Sequence, residues 1–271
     1  MSHEHDSLKK LQVATHASLP MLLMLFLQMV LNHYFAPAQS IFVSPYLLAF
    51  FVLGLVSFVV FLKGDICPGQ KGRLTFVLGF LLIFALGNLL YSTLGTPKHI
   101  PLVVSAIASL FFPIIFLRLP QDETIYRTLI YCGLAIVVVG MLQYLLVYWV
   151  EIPSIFNWLR ANNFAQILLG LLLSGWYLML AKSRLEALLK LLVKLAIIAL
   201  ILNYAWSVFA FYAYLQVADQ VNFLGFILYG LSQFAILGLL GWLLLGKNIK
   251  NPTAWTAATG LSMLYPLVNM I

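Results

Sequence analysis

Charge is what this chain has least of. Asp, Glu, Lys and Arg make up 8% of its 271 residues, against roughly a quarter in an ordinary soluble domain. Hydrophobic residues make up 63%, and mean hydropathy is +1.02. A chain so short of charge cannot clothe a water-facing surface, so lipid is its solvent and a soluble fold is excluded. Cysteine is scarce too, with 2 residues. Cys67 stands in a basic loop and Cys132 inside an apolar run, so neither a structural disulfide nor a zinc or C-x-x-C pattern is on offer. There is no P-loop, G-x-G-x-x-G, H-E-x-x-H or G-x-S-x-G, and no N-x-S/T acceptor.

Long apolar runs are what is present. The stretch from Arg184 to Gln216 orders the rest: Lys190 and Lys194 lie one turn apart, followed by about twenty apolar residues broken by Asn203 and Ser207, then Tyr212 and Tyr214. As a helix it is roughly 50 Å long, more than the roughly 30 Å of bilayer hydrocarbon. Its basic turns therefore stand outside the core, and its aromatic end lies at the opposite interface. Similar runs cover about Leu19 to Tyr34, Pro45 to Leu62, Leu74 to Leu94, Pro101 to Leu117, Thr128 to Val150, Asn162 to Ala181, Leu191 to Leu215 and Asn222 to Leu245. A weaker run, Pro252 to Ile271, carries Thr253, Thr256, Thr259 and Ser262. Pro45, Pro101 and Pro252 sit in first turns, where a missing N–H costs nothing, while Pro113 predicts a kink.

The expected fold is thus an all-α integral membrane protein: a polytopic bundle of eight transmembrane helices with a ninth, C-terminal span. Residues 1–18 read as a cytoplasmic tail and residues 19–271 as one multi-pass transmembrane domain. Along this alternating path, 13 of the 15 Lys and Arg fall on one side, with only Lys98 and Arg160 on the other. By the positive-inside rule the richer side, with the amino terminus, is cytoplasmic. The net charge of +7 would raise nucleic acid as a partner of a soluble protein. Here the basic residues lie in short loops and read as topology signals and contacts for anionic membrane lipids, so no nucleic acid is expected. The economy of loops fits a bacterial inner membrane.

No Asp, Glu, Lys or Arg stands in the middle of a run, which argues against a proton relay or carboxylate-coupled pump. The polar groups inside are amides, and they share a depth. Gln28, Asn203 and Gln233 fall mid-span, and Asn32, Asn88, Gln143, Asn163 and Gln166 in the half away from the basic loops. Helical spacing pairs Gln28 with Asn32, Asn88 with Tyr91, Asn163 with Gln166, Asn203 with Trp206, and Gln233 with Tyr229. The commoner use of such amides is hydrogen bonding between packed helices. The functional use is a neutral, polar cavity, with Gln28, Asn32, Asn88, Asn203 and Gln233 as the substrate-binding residues of a carrier or permease for a small neutral or amphiphilic solute.

Two other function classes stand beside it. His33, His99, Glu151 and Asp219, with Lys98 and Arg160, gather at the outer interface and could serve a membrane-embedded enzyme or a haem or redox protein. The spacing of these residues specifies no cofactor and no metal site, and interfacial loop residues facing water are the simpler reading. The third class is a non-catalytic subunit packed on partner membrane subunits. Leu-Gly-Leu recurs at Leu53-Gly54-Leu55, Leu169-Gly170-Leu171 and Leu237-Gly238-Leu239. Duplication or ordinary helix-end composition accounts for it, and the small residues there read as close-packing positions.

Overall fold

A computed structural model describes residues 2–36, 41–64, 66–97, 100–150, 158–159, 161–216, 223–245 and 247–270. In lipid each backbone N–H and C=O must find its partner within the protein, and the apolar runs meet that demand as helices. Helix α1 spans Ser2–Phe35, α2 Leu47–Lys63, α3 Pro68–Leu78, α4 Leu81–Leu94, α5 Ile100–Leu117, α6 Glu123–Val150, α7 Asn163–Leu180, α8 Glu186–Leu215, α9 Phe223–Leu244 and α10 Pro252–Met263. Short 3-10 turns follow at Asn248–Lys250 and Tyr265–Met270, and no strand occurs among the described residues. Counting α3 with α4, 7 of these stretches are long and apolar enough to cross a membrane. The shorter apolar helix α2 has 17 residues, about 25 Å.

Several boundaries carry a physical reason. Helix α1 is already helical at Ser2, so the polar stretch before Leu19 prolongs the first span outward along one axis. The third run is pinched between α3 and α4: the N–H groups of Phe80, Leu82 and Ile83 each bond three residues back, a 3-10 tightening in place of a break. Helix α5 continues through Pro113, which is buried beside Phe112 and Phe116. The C-terminal run is not one long helix: α10 has 12 residues, about 18 Å, and then tightens into the 3-10 turn. It is nonetheless anchored inside. Trp255 is fully buried, and its indole N–H donates to the Ile249 carbonyl at 2.8 Å.

Two helices form the centre. In α2, 12 of 17 residues are buried, and α7 is the most enclosed of the long helices. They meet at Gly170, where an added Cβ would lie 2.5 Å from Val52 Cβ and 2.7 Å from the Ala49 carbonyl oxygen. Glycine is required there because the two backbones touch. On the α2 side the bundle is completed by α4, α5 and α6, whose Phe84, Phe112 and Phe116 pack with Phe50, Phe51, Phe58 and Phe61. On the α7 side it is completed by α8, α9 and α10, and α1 closes the ring between α4 and the last 3-10 turn. The recurring Leu-Gly-Leu element is used differently in each case. Gly54 lies under Phe112 and Gly170 against α2, whereas Gly238 and Gly241 have open space beside them, so the close packing expected of α9 is absent.

Among the described residues, basic side chains from several segments gather at one end of the bundle. Lys71 Nζ sits 3.5 Å over the Tyr126 ring, Arg73 Nε donates to the Ala181 carbonyl at 3.0 Å, and Lys250 bonds Glu186. These contacts tie together the ends of α3, α6, α7, α8 and α10.

Candidate functional site

The site begins with an unmet need. A helix leaves its first four N–H groups without an internal partner, and the start of α2 is sealed from solvent, with Tyr46, Leu48 and Ala49 each 0% exposed. Residues 41–44 before it are non-helical, and Phe42, Val43 and Ser44 are buried. Irregular backbone inside a bilayer protein is tolerated only where protein groups satisfy it. Here side chains from other helices do so. Gln166 Oε1 accepts from the Leu48 N–H at 2.9 Å, and Ser44 Oγ accepts from the Tyr46 N–H at 3.3 Å. Tyr144 donates its hydroxyl to the Ser44 carbonyl at 2.8 Å, and Tyr265 donates to the Pro45 carbonyl.

From this helix start the bonding spreads to α1 and α4. Ser44 Oγ donates to Gln28 Oε1 at 2.7 Å, and Gln28 Nε2 donates to Asn88 Oδ1 at 3.1 Å. Gln28 stands two turns before the end of α1, about 10 Å inside it, so residues 41–44 dip to that depth. One turn further out, Asn32 Nδ2 donates to the Tyr91 hydroxyl at 3.0 Å, a second rung on the same α1–α4 interface.

The start of α7 is met in the same way. Asn162 caps it, its Oδ1 accepting from the N–H groups of Phe164 at 3.0 Å and Ala165 at 3.3 Å. Its Nδ2 turns to α8 and donates to Asn203 Oδ1 at 2.7 Å and Ser207 Oγ at 3.3 Å. Asn203 Nδ2 donates in turn to the Tyr229 hydroxyl at 2.7 Å and Gln233 Oε1 at 3.1 Å. Both groups of side chains join through the first turn of α7, where the Gln166 N–H bonds the Asn162 carbonyl at 3.0 Å and Gln166 Nε2 bonds both Tyr144 and the Ala161 carbonyl. The Tyr265 ring stands edge-on to Tyr46, with centroids 6.1 Å apart. The result is one buried, uncharged belt of amides and phenols around the starts of the two central helices.

Of the five sequence-derived candidates, Gln28 meets Asn88 and Asn203 meets Gln233, while half-buried Asn32 stands beside the first pair. The two pairs are joined only through intermediates that sequence reasoning left out of the site: Ser44, Tyr144, Asn162 and Gln166. Three of these had a signal. Gln166 is among the amides that share a depth, and Ser44 and Asn162 are cap-type residues at the starts of apolar runs. Tyr144 had none, since a tyrosine in an apolar helix does not advertise its partner.

Among the described residues the belt offers hydrogen-bond donors and acceptors but no carboxylate or imidazole, groups suited to reversible binding of a neutral polar group. His33 is exposed in the last turn of α1 with its ring edge-on to Tyr34, at 4.7 Å between centroids. His99, Glu151, Asp219, Lys98 and Arg160 lie outside the described residues. Among the described residues, no group of three or more His, Cys, Asp or Glu could hold a metal ion.

Comparison with known proteins agrees with this architecture at the level of class. A family model described as an integral membrane domain matches residues 5–271. An uncharacterized protein of Haemophilus influenzae is 32% identical over 192 residues, which cover 70% of this chain and 71% of that protein. No solved structure matches. A multi-pass bundle with an apolar exterior, matched along nearly its whole length, belongs to this family of integral membrane domain proteins.

Proposed function

We propose that the protein is a carrier for a small neutral or amphiphilic solute in a bacterial inner membrane, with its amino terminus in the cytoplasm, and that Gln28, Asn32, Asn88, Asn203 and Gln233 touch the solute. One observation supports this reading above the others: the buried starts of α2 and α7 meet within the bundle, at Gln166 and Leu48, among side-chain amides and not backbone bonds alone. Helix starts that meet inside a bundle offer backbone groups that can trade partners with a solute, as the broken helices of many carriers do. The described residues of the belt carry no charge, which favours a neutral solute.

A second reading has an observation of its own. The amides of Gln28, Asn88, Asn203 and Gln233 all bond protein partners, which favours interhelical pins in a non-catalytic membrane subunit. Solute-dependent accessibility separates the two. In a protein with Cys67→Ser and Cys132→Ala, a single cysteine at Ser44 or Ser207 is treated with a small, water-soluble thiol reagent in proteoliposomes, against a panel of neutral solutes. Labelling that is slowed by one solute, together with uptake of that solute, supports the carrier. Labelling that stays absent with every solute and in both vesicle orientations overturns it.

A further inference from the structure

A second site of different chemistry lies at the basic end. A cleft of about 510 Å³ opens between α1 at Lys10 and Val13, helix α3 and the end of α7, lined also by Arg73, Phe76, Val77 and Lys182. Three cations share it, and no carboxylate is in the lining among the described residues. Its wall is apolar, with Phe76 45% exposed beside the cations. Gly69 and Gly72 leave it open: nothing lies within 4 Å of where a Cβ would stand on either.

Two details show that the cations are held there. Arg73 uses Nε to bond the Ala181 carbonyl at 3.0 Å, which fixes the guanidinium and leaves its other N–H donors free to face the cleft. Lys182 stands at the position after α7 where the Lys182 N–H bonds Met179 and the Ser183 N–H bonds Leu178, the closure that normally ends in glycine. Its φ is 52°, the one positive value among the described non-glycine residues. A lysine there is strained where glycine is free, and Lys182 lines the cleft from that position.

We infer that this cleft binds an anionic membrane phospholipid, the phosphate between Lys10, Arg73 and Lys182 and the acyl chains along Val13, Phe76 and Val77. The anionic oxygens of a phosphodiester can accept hydrogen bonds from all three cations, and an acyl chain covers the apolar wall that a soluble anion would leave bare. Each cation contributes about fivefold to affinity near a membrane surface.

The test uses the purified full chain in detergent with added phosphatidylglycerol or phosphatidylcholine, read by native mass spectrometry and by melting temperature. Phosphatidylglycerol is expected to be retained and to raise the melting temperature, with phosphatidylcholine doing neither. Lys182→Gly is chosen because it relieves the backbone while removing the charge. It should melt no lower than the parent without lipid, yet lose about fivefold in phosphatidylglycerol affinity, and Lys10→Gln with Lys182→Gly should lose on the order of 25-fold. Equal binding of the two lipids, or an unchanged preference in the double variant, overturns the inference. So does displacement of the lipid by millimolar inorganic phosphate, which would mark a soluble anion as the ligand.

Discussion

Asn203 links α8 to its neighbours on both sides: Asn162, Tyr229 and Gln233 all bond it. Replacing it with leucine leaves buried donors and acceptors at the start of α7 and on α9 unmet, at about 1–3 kcal/mol for each group that finds no other partner. Asn203→Leu should therefore lower the melting temperature sharply in detergent. Adding Gln233→Leu should cost less than its effect alone, since the pair vanishes together, and a double-variant cycle with a coupling near zero would contradict this. Gln166→Leu should be worse than Gln28→Leu. Gln166 serves the Leu48 N–H, a backbone group that cannot rotate to seek another partner, whereas Ser44 and Asn88 can reorient. Residue-scale legibility follows the same line. Amide depth could be read from the chain, because each amide interrupts an apolar run. Partnership could not, because Gln28 and Asn88 are 60 residues apart and nothing in either run names the other.

At the scale of elements, the central pair α2 and α7 depends on backbone contact and α9 does not. Gly170→Ala drives a methyl into the Ala49 carbonyl, which cannot yield, and should destabilise by about 1–3 kcal/mol or more. Gly238→Ala faces open space and should be neutral or slightly stabilising through its helix propensity. Thermal unfolding of both variants in one detergent checks the contrast. Element positions were largely readable from sequence, as with Pro101 to Leu117 against the observed Ile100–Leu117, because hydropathy and first-turn prolines mark them. What hydropathy could not distinguish was a central helix from a peripheral one. The apolar surfaces of α2 and α9 read alike, yet α2 is nearly all enclosed while Phe234 and Leu231 of α9 remain exposed. Lipid and protein interior are equally apolar, so the pattern that separates inside from outside in water is missing.

For the molecule as a whole, the sorting of charge to one end gives the orientation a native reporter. Cys67 is exposed at the start of α3, beside Lys71 and Arg73. If the basic end faces the cytoplasm, a membrane-impermeant maleimide should label Cys67 in inverted vesicles and not in right-side-out ones, with Cys132→Ala removing the other thiol. The opposite pattern would turn the map over. The cleft of Lys10, Arg73 and Lys182 belongs to this scale too, and no reading of the chain could have assembled it. Its cations come from three separate segments, each of which alone looks like an ordinary positive-inside signal.

The dependence of α2 on Gln166 has a consequence for how the protein is made. The amide of Leu48 leaves the ribosome 118 residues ahead of the side chain that completes it, so the second helix spends much of synthesis in the bilayer with an unfinished start. A nascent chain released after Val150 should be degraded faster in pulse-chase than one released after Leu180, even though both contain every residue of α2.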